Sequence, residues 1–93
     1  MGTRARKLDK SVHSGGQSAL CELMVKARKA AGLTQQELAD RLHKPQSFVA
    51  KYEGGERRID VVEFLTVCQA IGADSAKLLK ALKNAIGADA QRA

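Results

Sequence analysis

Four side chains in the middle of the chain are suited to binding rather than to bond making. Gln35, Gln46, Ser47 and Lys51 supply amides, a hydroxyl and a cation. The amides and the hydroxyl donate and accept hydrogen bonds, and the lysine adds a positive charge. At about 100° per residue, Ser47 and Lys51 point away from Val49 on a common helix. A helix that shows such groups to solvent has the size and chemistry to enter the major groove of DNA.

Each of these groups has a definable partner on a duplex. Gln46 offers a bidentate fit to adenine, and Ser47 can donate to or accept from several bases. Lys51 reaches a guanine or a phosphate one turn further along. Gln35 opens the preceding helix, where its amide and the exposed backbone N–H groups are expected to clamp a phosphate. Phe48 is predicted to be an exposed ring that covers a thymine methyl or, alternatively, packs against a partner chain.

Two short helices joined by a tight turn are predicted to hold these side chains. Thr34 and Glu37 form a capping box, so a helix should begin at Gln35. Pro45 is expected in the first turn of the second helix, because its missing N–H would be unpaired there. The apolar positions predicted to face inward from this pair are Leu38, Ala39, Leu42, Val49 and Tyr52.

Three stretches around and within this pair carry a family resemblance: ARKAAGLTQQELADRL, PQSFVAKYEGGERR and EFLTVCQAIGA. From about residue 20 to residue 82 the chain resembles the lambda-repressor-like DNA-binding domains, also called Cro/C1 or XRE. The combination of GLTQxELA, a spaced QSxVxxxE and a GER loop is specific. The resemblance implies an all-α fold, a five-helix lambda-repressor-like bundle with a central helix-turn-helix and an extended C-terminal helix. In the resembling domains, the positions of Gln46 and Ser47 contact base edges.

Two positions in the predicted turn depart from the family pattern. The family usually has Gly where this chain has His43, and an apolar residue where it has Lys44. Histidine tolerates a positive φ better than most residues other than glycine, so His43 should strain the turn without preventing it. Lys44 should leave the turn less well anchored.

Charged residues at the end of the second helix have structural and binding interpretations. Glu53 lies about 40° from Val49 on the buried face, where a carboxylate needs a cation. The resemblance suggests Arg28 as its partner in a bidentate salt bridge, against the alternative of a solvated glutamate. The following loop lies beside the sugar–phosphate backbone in the resembling domains. Arg57 and Arg58 are therefore candidates for phosphate or minor-groove contacts, with a plain solvated basic loop as the alternative.

The remaining helices are predicted from caps and apolar spacing. A first helix should run from near Ser18 to Ala31, closed by Gly32, with an inward stripe of Leu20, Leu23, Met24, Ala27 and Ala31. Asp60 with Glu63 repeats the capping box and opens a fourth helix that Gly72 closes. Its apolar positions are Val61, Phe64, Leu65, Cys68 and Ile71. Asp74 then caps a fifth helix that carries Leu78, Leu79, Leu82 and Ile86 at helical spacing.

The domain organisation follows from these helices. Residues 18–87 are expected to form the helix-turn-helix domain, and residues 88–93 a C-terminal tail. Residues 1–17 carry four cations and few apolar groups, which predicts a flexible basic arm. Such an arm either follows the DNA or contributes little, and the sequence favours the second interpretation.

Composition limits the class of function. The chain has 93 residues, a net charge of +6 and 3% aromatic residues. Its length allows one small domain, and its charge favours a polyanionic partner. Cys21 and Cys68 lack the spacing of a zinc site and should be free thiols in a cytoplasmic protein. No apolar run is long enough to span a bilayer. No hydroxyl, thiol or amine has a placed base and acid, so neither catalysis nor a cofactor nor a metal is expected.

The function predicted from the sequence is a sequence-specific double-stranded DNA-binding regulator, a repressor that binds an inverted repeat as a homodimer. Leu82 and Ile86 should lie beyond the core and form the dimer contact, unless the last helix frays after about Ala85. An antitoxin that represses its own operon and a controller of restriction–modification have the same sequence features. The rival interpretation is a protein-interaction module, with a partner such as a toxin docked on the same fold.

Overall fold

The fold is built from short helices whose ends are set by local sequence signals. The computed structural model describes residues 15–92, with side chains described for residues 15–88. This part contains the helices α1 (Gly15–Ala30), α2 (Gln35–Leu42), α3 (Gln46–Glu53), α4 (Val61–Ile71) and α5 (Ser75–Arg92), and no strand. The predicted all-α class with five helices is confirmed.

Capping side chains begin three of these helices. The Thr34 hydroxyl accepts from the Glu37 backbone N–H at 3.0 Å, and the Glu37 carboxylate accepts from the Thr34 N–H at 2.9 Å. Asp60 and Glu63 repeat this exchange at 2.7 and 2.9 Å. The Asp74 carboxylate accepts from the first turn of α5, with a distance of 3.0 Å to the Ala76 nitrogen. The three predicted caps are therefore confirmed, and each satisfies N–H groups that a helix leaves unpaired.

Several helix boundaries differ from the predictions, and α5 continues to Arg92, through most of the predicted tail of residues 88–93. The first helix begins at Gly15 instead of near Ser18, so the last three residues of the predicted arm are helical; residues 1–14 lie outside the described residues. This extra turn forms despite the poor helix propensity of glycine. Pro45 is the N-cap residue of α3, with an extended ψ of 154°. It therefore lies just before the first turn of this helix and not within it. Gly32 closes α1 with a left-handed φ of 75°, as predicted.

The core lies where the first four helices meet. Its buried side chains are Met24 of α1, Leu38 and Ala39 of α2, Val49 and Tyr52 of α3, and Phe64, Val67, Cys68 and Ile71 of α4. Ala39 is completely buried, and so small a side chain lets α2 and α3 approach closely. The prediction that Ala31 faces inward is wrong, because it is exposed, and two of the apolar positions listed for α4, Val61 and Leu65, are exposed as well.

The C-terminal helix packs mainly along α1. Leu78 and Leu82 are half-buried, whereas Leu79 and Ile86 are each 48% exposed. Leu82 was expected to lie beyond the core, but it lines a shallow apolar groove of about 130 Å³ with Leu20. Leu20 supplies this cover, because α5 packs along α1. Among the described residues, no helix is long and apolar enough to cross a membrane.

Candidate nucleic-acid interface

The helices α2 and α3 form a rigid helix-turn-helix. The chain reverses at His43, whose φ of 57° and ψ of 42° are left-handed. Its backbone N–H donates to the Asp40 carbonyl at 3.2 Å, and the Lys44 N–H donates to the Ala39 carbonyl at 3.0 Å. The predicted tight turn is present, and it carries the positive φ that a histidine adopts only at some cost in free energy.

The outer face of α3 presents the side chains that spacing predicts. Gln46, Ser47 and Lys51 are exposed, while Val49 is 0% and Tyr52 3% exposed on the opposite face. The backbone N–H of Glu56 donates to the Lys51 carbonyl at 2.9 Å and closes the C-terminal end of the helix. Polar groups and one cation therefore lie on a solvent-facing rod that the core holds from behind.

A buried salt bridge fixes α3 to α1. The Arg28 Nε donates to Glu53 Oε2 at 2.8 Å and its Nη2 donates to Oε1 at 3.0 Å. The two side chains are only 9% and 4% exposed. Arg28 also donates to the Leu33 carbonyl at 2.8 Å, and its hydrogen bonds to Glu53 raise the pKa of the guanidinium. The structure thus contains the bidentate pair that the resemblance suggested, and this pair joins α1, the first loop and α3.

Gln35 is half-buried and its amide is engaged within the protein. Its Nε2 donates to Glu53 Oε1 at 3.0 Å, and its Oε1 accepts from Gln46 Nε2 at 2.6 Å. Sequence reasoning assigned this amide to a phosphate and missed both contacts. They depend on how α2 crosses α3, which spacing along either helix does not reveal.

Phe48 differs most from its prediction. The ring is half-buried against the core and meets Tyr52 edge to face at 5.5 Å between centroids. The Arg57 guanidinium carbon lies 4.8 Å and the Lys44 Nζ 5.5 Å from the ring centroid. The expectation of an exposed ring is wrong, because the ring is half-buried and two cations lie against it.

The loop between α3 and α4 carries two exposed arginines, Arg57 and Arg58. Arg57 donates to both carboxylate oxygens of Glu63, at 2.8 and 3.2 Å, and to the Arg58 carbonyl at 3.0 Å. Hydrogen bonding to Arg57 lowers the pKa of the Glu63 carboxyl. Arg58 is exposed beside it. Arg57 therefore has a structural role that neither charge nor position in the sequence indicated.

The cysteines are free thiols, as predicted. Cys68 is buried in the core, and the half-buried Cys21 donates from Sγ to the Tyr52 carbonyl at 3.3 Å. Burial raises the pKa of both thiols, which keeps them protonated and unreactive at neutral pH. Their contacts stabilise the packing behind α3.

The fold and the polar face of α3 define a DNA-binding domain of the helix-turn-helix class. The helix-turn-helix family HTH_3, which is of the Cro/C1 or XRE type, matches residues 24–78. This match covers more than half of the chain, which therefore belongs to that family and is a DNA-binding transcriptional regulator. No curated protein matches the chain.

Solved structures of regulatory proteins share this fold. An XRE-family like protein from Pseudomonas syringae pv. tomato is 49% identical, with a TM-score of 0.74 over 83% of this chain and 94% of that one. The clp gene regulator ClgR from Corynebacterium glutamicum is 25% identical, with a TM-score of 0.67 over 74% of this chain and 90% of that one. A second ClgR structure, at 23% identity and a TM-score of 0.70, shows the shared fold.

Proposed function

We propose that this protein is a sequence-specific transcriptional repressor that binds an inverted repeat in double-stranded DNA as a homodimer. The observation that carries the proposal is the exposed row of Gln46, Ser47 and Lys51 on α3. These side chains are short or cationic and are backed by a buried core, as base readout in the major groove requires. A bound repressor would act by occupying its operator.

Base contacts and phosphate contacts would come from different parts of the interface. Gln46 and Ser47 would read base edges, and Lys51 would reach a guanine or a phosphate. The Gln35 amide faces Glu53 and Gln46, so the backbone N–H groups in the first turn of α2 would contact a phosphate there. Arg58 would add a phosphate contact from the loop that follows α3.

An apolar surface supports the homodimer. Leu79 and Ile86 of α5 are each 48% exposed, and Val61 and Leu65 of α4 are 71% and 45% exposed. Val61, Leu79 and the half-buried Leu82 line the same groove between these helices. Two copies that pair through this surface would present two α3 helices to half-sites about one helical turn apart.

Selection from a random-sequence pool of duplexes tests the function. The wild-type protein should enrich a motif with two-fold symmetry, and its affinity should fall with salt at a log–log slope of about −0.9 per phosphate contacted. Gln46→Ala should lose the preference at one base pair in each half-site and keep its affinity for random DNA. Failure to enrich any motif, together with salt-independent binding, would contradict the proposal.

A charge placed in the apolar surface tests the dimer separately. Ile86→Lys should shift the protein to monomers in analytical ultracentrifugation and weaken binding to the two-fold site. Val62→Lys is the matched control, because Val62 is 72% exposed on α4 and lines a different groove, with Leu42 and Phe48. Equal dimerisation of the wild type and Ile86→Lys would place the contact elsewhere.

A protein-interaction role, such as an antitoxin that binds a toxin, is the second candidate. The observation that favours it is a second groove of about 180 Å³, lined by Leu42, Phe48, Val62 and Val67 among others. Docking there would bury apolar surface and respond little to salt, in contrast to DNA binding. Val62→Lys should weaken binding of such a partner and leave the DNA sequence selected by the protein unchanged.

A further inference from the structure

Two grooves along α4 are continuous with each other. The groove of about 180 Å³ is lined by Leu42, Phe48 and Val62 among others, and the next, of about 300 Å³, extends to Ala70. Leu42 and Thr66 line both of them, so together they form one surface, the α4 groove. From Val62 to Ala70 the helix rises by about 12 Å, at about 1.5 Å per residue. The α4 groove is therefore long enough to hold about two turns of an incoming helix.

The α4 groove has an apolar base and a cationic wall. Leu42 and Phe48 are half-buried within it, and Val62 is 72% exposed at its edge. Lys44 lines one part of the groove, and Arg41 lines the other. Both cations are exposed. The apolar surface therefore has a positive charge beside each half of its length.

The two cations are available to a partner, whereas the one carboxylate in the groove is engaged. Both oxygens of Glu63 accept from Arg57, at 2.8 and 3.2 Å, and Oε1 also accepts from the Asp60 N–H at 2.9 Å. Within residues 15–88, neither Arg41 nor Lys44 forms an ion pair, although the Arg41 Nη1 donates to a backbone carbonyl of α4 at 2.8 Å. A partner's carboxylates can therefore pair with both cations without breaking an ion pair of this protein.

We propose that the α4 groove binds an acidic amphipathic helix of another protein. This inference rests on the protein-interaction role proposed above and adds the chemistry of the partner. Aliphatic side chains at helical spacing would fill the apolar base, because that spacing places them on one face of a helix. Carboxylates beside this stripe would pair with Arg41 and Lys44. Gln46, Ser47 and Lys51 do not line the groove, so a docked helix would leave them uncovered.

A second copy of this chain and a phosphate group match the α4 groove less well. The exposed apolar residues of α5 have Lys80 and Lys83 beside them, so like charges would meet Arg41 and Lys44. A phosphate would have to lose water against the apolar base around Phe48, which costs free energy. The combination of an apolar base and free cations is matched by a helix that carries both aliphatic and acidic side chains.

Three designed helical peptides test the proposal. Each carries leucines on one face, and the positions beside this face are glutamate in the first peptide, glutamine in the second and lysine in the third. In fluorescence anisotropy, the glutamate peptide should bind at least about fivefold more tightly than the glutamine peptide, the size expected of two exposed ion pairs. The lysine peptide should bind most weakly. Added salt should reduce the difference between the glutamate and glutamine peptides, because it screens exposed charges.

Three variants locate the binding on the α4 groove. Lys44→Glu should weaken the glutamate peptide and strengthen the lysine peptide. Lys77→Glu is the matched control, because it makes the same change of charge at an exposed position of α5 that does not line the groove, and it should keep the wild-type order. Val62→Ser removes apolar surface without changing charge, so it should weaken the glutamate and glutamine peptides alike. Thermal melting of each variant verifies that the fold is retained.

The outcomes distinguish this inference from the role on which it rests. If the glutamine peptide binds as tightly as the glutamate peptide, the inference fails, but the groove is still a protein-docking surface. If Lys44→Glu abolishes binding while Val62→Ser leaves it unchanged, the surface is a simple anion site and the inference fails. Equal losses in Lys77→Glu and Lys44→Glu would also overturn it, because net charge would then determine binding. If none of the peptides binds, the inference and the docking role of this groove fail together.

Discussion

The Arg57 guanidinium stacks over the ring of Phe48, with its carbon 4.8 Å from the ring centroid. The same guanidinium pairs with Glu63, which also caps α4. One side chain therefore ties the loop between α3 and α4 to the helices on both sides of it. Arg58, its neighbour, is the residue proposed to contact a phosphate, and both arginines are exposed.

Replacement of the two arginines should separate these roles. Arg57→Ala should lower the melting temperature, because it removes the stacking contact and the bond to Glu63, and should change the salt dependence of DNA binding little. Arg58→Ala should reduce the log–log salt slope by about 0.9, the value for one phosphate. Melting curves and salt titrations on random-sequence duplex measure both effects. If Arg57→Ala lowers the salt slope and Arg58→Ala does not, the phosphate contact is made by Arg57.

Breaking the buried salt bridge should destabilise the fold strongly. Arg28→Ala leaves the Glu53 carboxylate, 4% exposed, without its cation, and should cost roughly 3 kcal/mol or more of unfolding free energy. Chemical denaturation measures this loss.

Two control variants test whether the stranded Glu53 charge causes the loss of stability in Arg28→Ala. Lys29→Ala removes an exposed cation from the same turn and should be nearly neutral. The double variant Arg28→Met, Glu53→Leu removes both charges and should be clearly more stable than Arg28→Ala. Equal destabilisation by the single and double variants would show that lost packing, and not the stranded charge, determines the stability.

The turn of the helix-turn-helix should become more stable with glycine. His43 has a φ of 57°, a left-handed conformation that costs an ordinary side chain about 1–2 kcal/mol. Glycine removes that cost but gains entropy in the unfolded chain, so His43→Gly should stabilise the protein by about 0.5 kcal/mol.

Gly72 allows the opposite substitution, of a side chain for a glycine that has a positive φ. It closes α4 with a φ of 82°, and a Cβ added there would meet no atom within 4 Å. Gly72→Ala should therefore lower the unfolding free energy by about 1 kcal/mol through backbone strain alone. If both substitutions destabilise the protein, side-chain contacts of His43 must outweigh the backbone effect.

The parts of the structure that sequence could predict are those that local chemistry determines. Thr34 with Glu37 specifies a helix start because both hydrogen bonds form within four residues of chain. The solvent face of α3 follows from helical periodicity in the same way. The Arg28–Glu53 pair required the family resemblance, since its partners are 25 residues apart.

The contacts that sequence could not predict depend on how separate segments pack. Phe48 packs against the core and contacts a cation from the following loop, and no spacing within α3 indicates that Arg57 folds back over the ring. The contact between Gln35 and Gln46 depends on the crossing of two helices. Partial burial of Leu82 depends on how α5 packs along α1, which the spacing within either helix does not indicate.

The buried hydroxyl of Tyr52 should destabilise the protein at high pH. This residue is 3% exposed, and its hydroxyl has no hydrogen-bond partner among the described residues. Burial, followed by the nearby Glu53 charge, raises the pKa of Tyr52. The unfolded chain releases this proton near pH 10, the ordinary tyrosine value, while the folded protein still holds it. Unfolding therefore becomes more favourable as pH rises above about 10, and stability falls.

Tyr52→Phe tests this linkage directly. It should be neutral or stabilising by up to about 1 kcal/mol at neutral pH, because it removes an unpaired buried polar group. It should also lose less stability than the wild type above about pH 10, as followed by urea denaturation at each pH. Tyr52 is the only tyrosine and Trp is absent, so tyrosinate absorbance reports this group alone. Titration of the folded wild type at the ordinary tyrosine pKa, or identical alkaline profiles for the two proteins, would contradict the prediction.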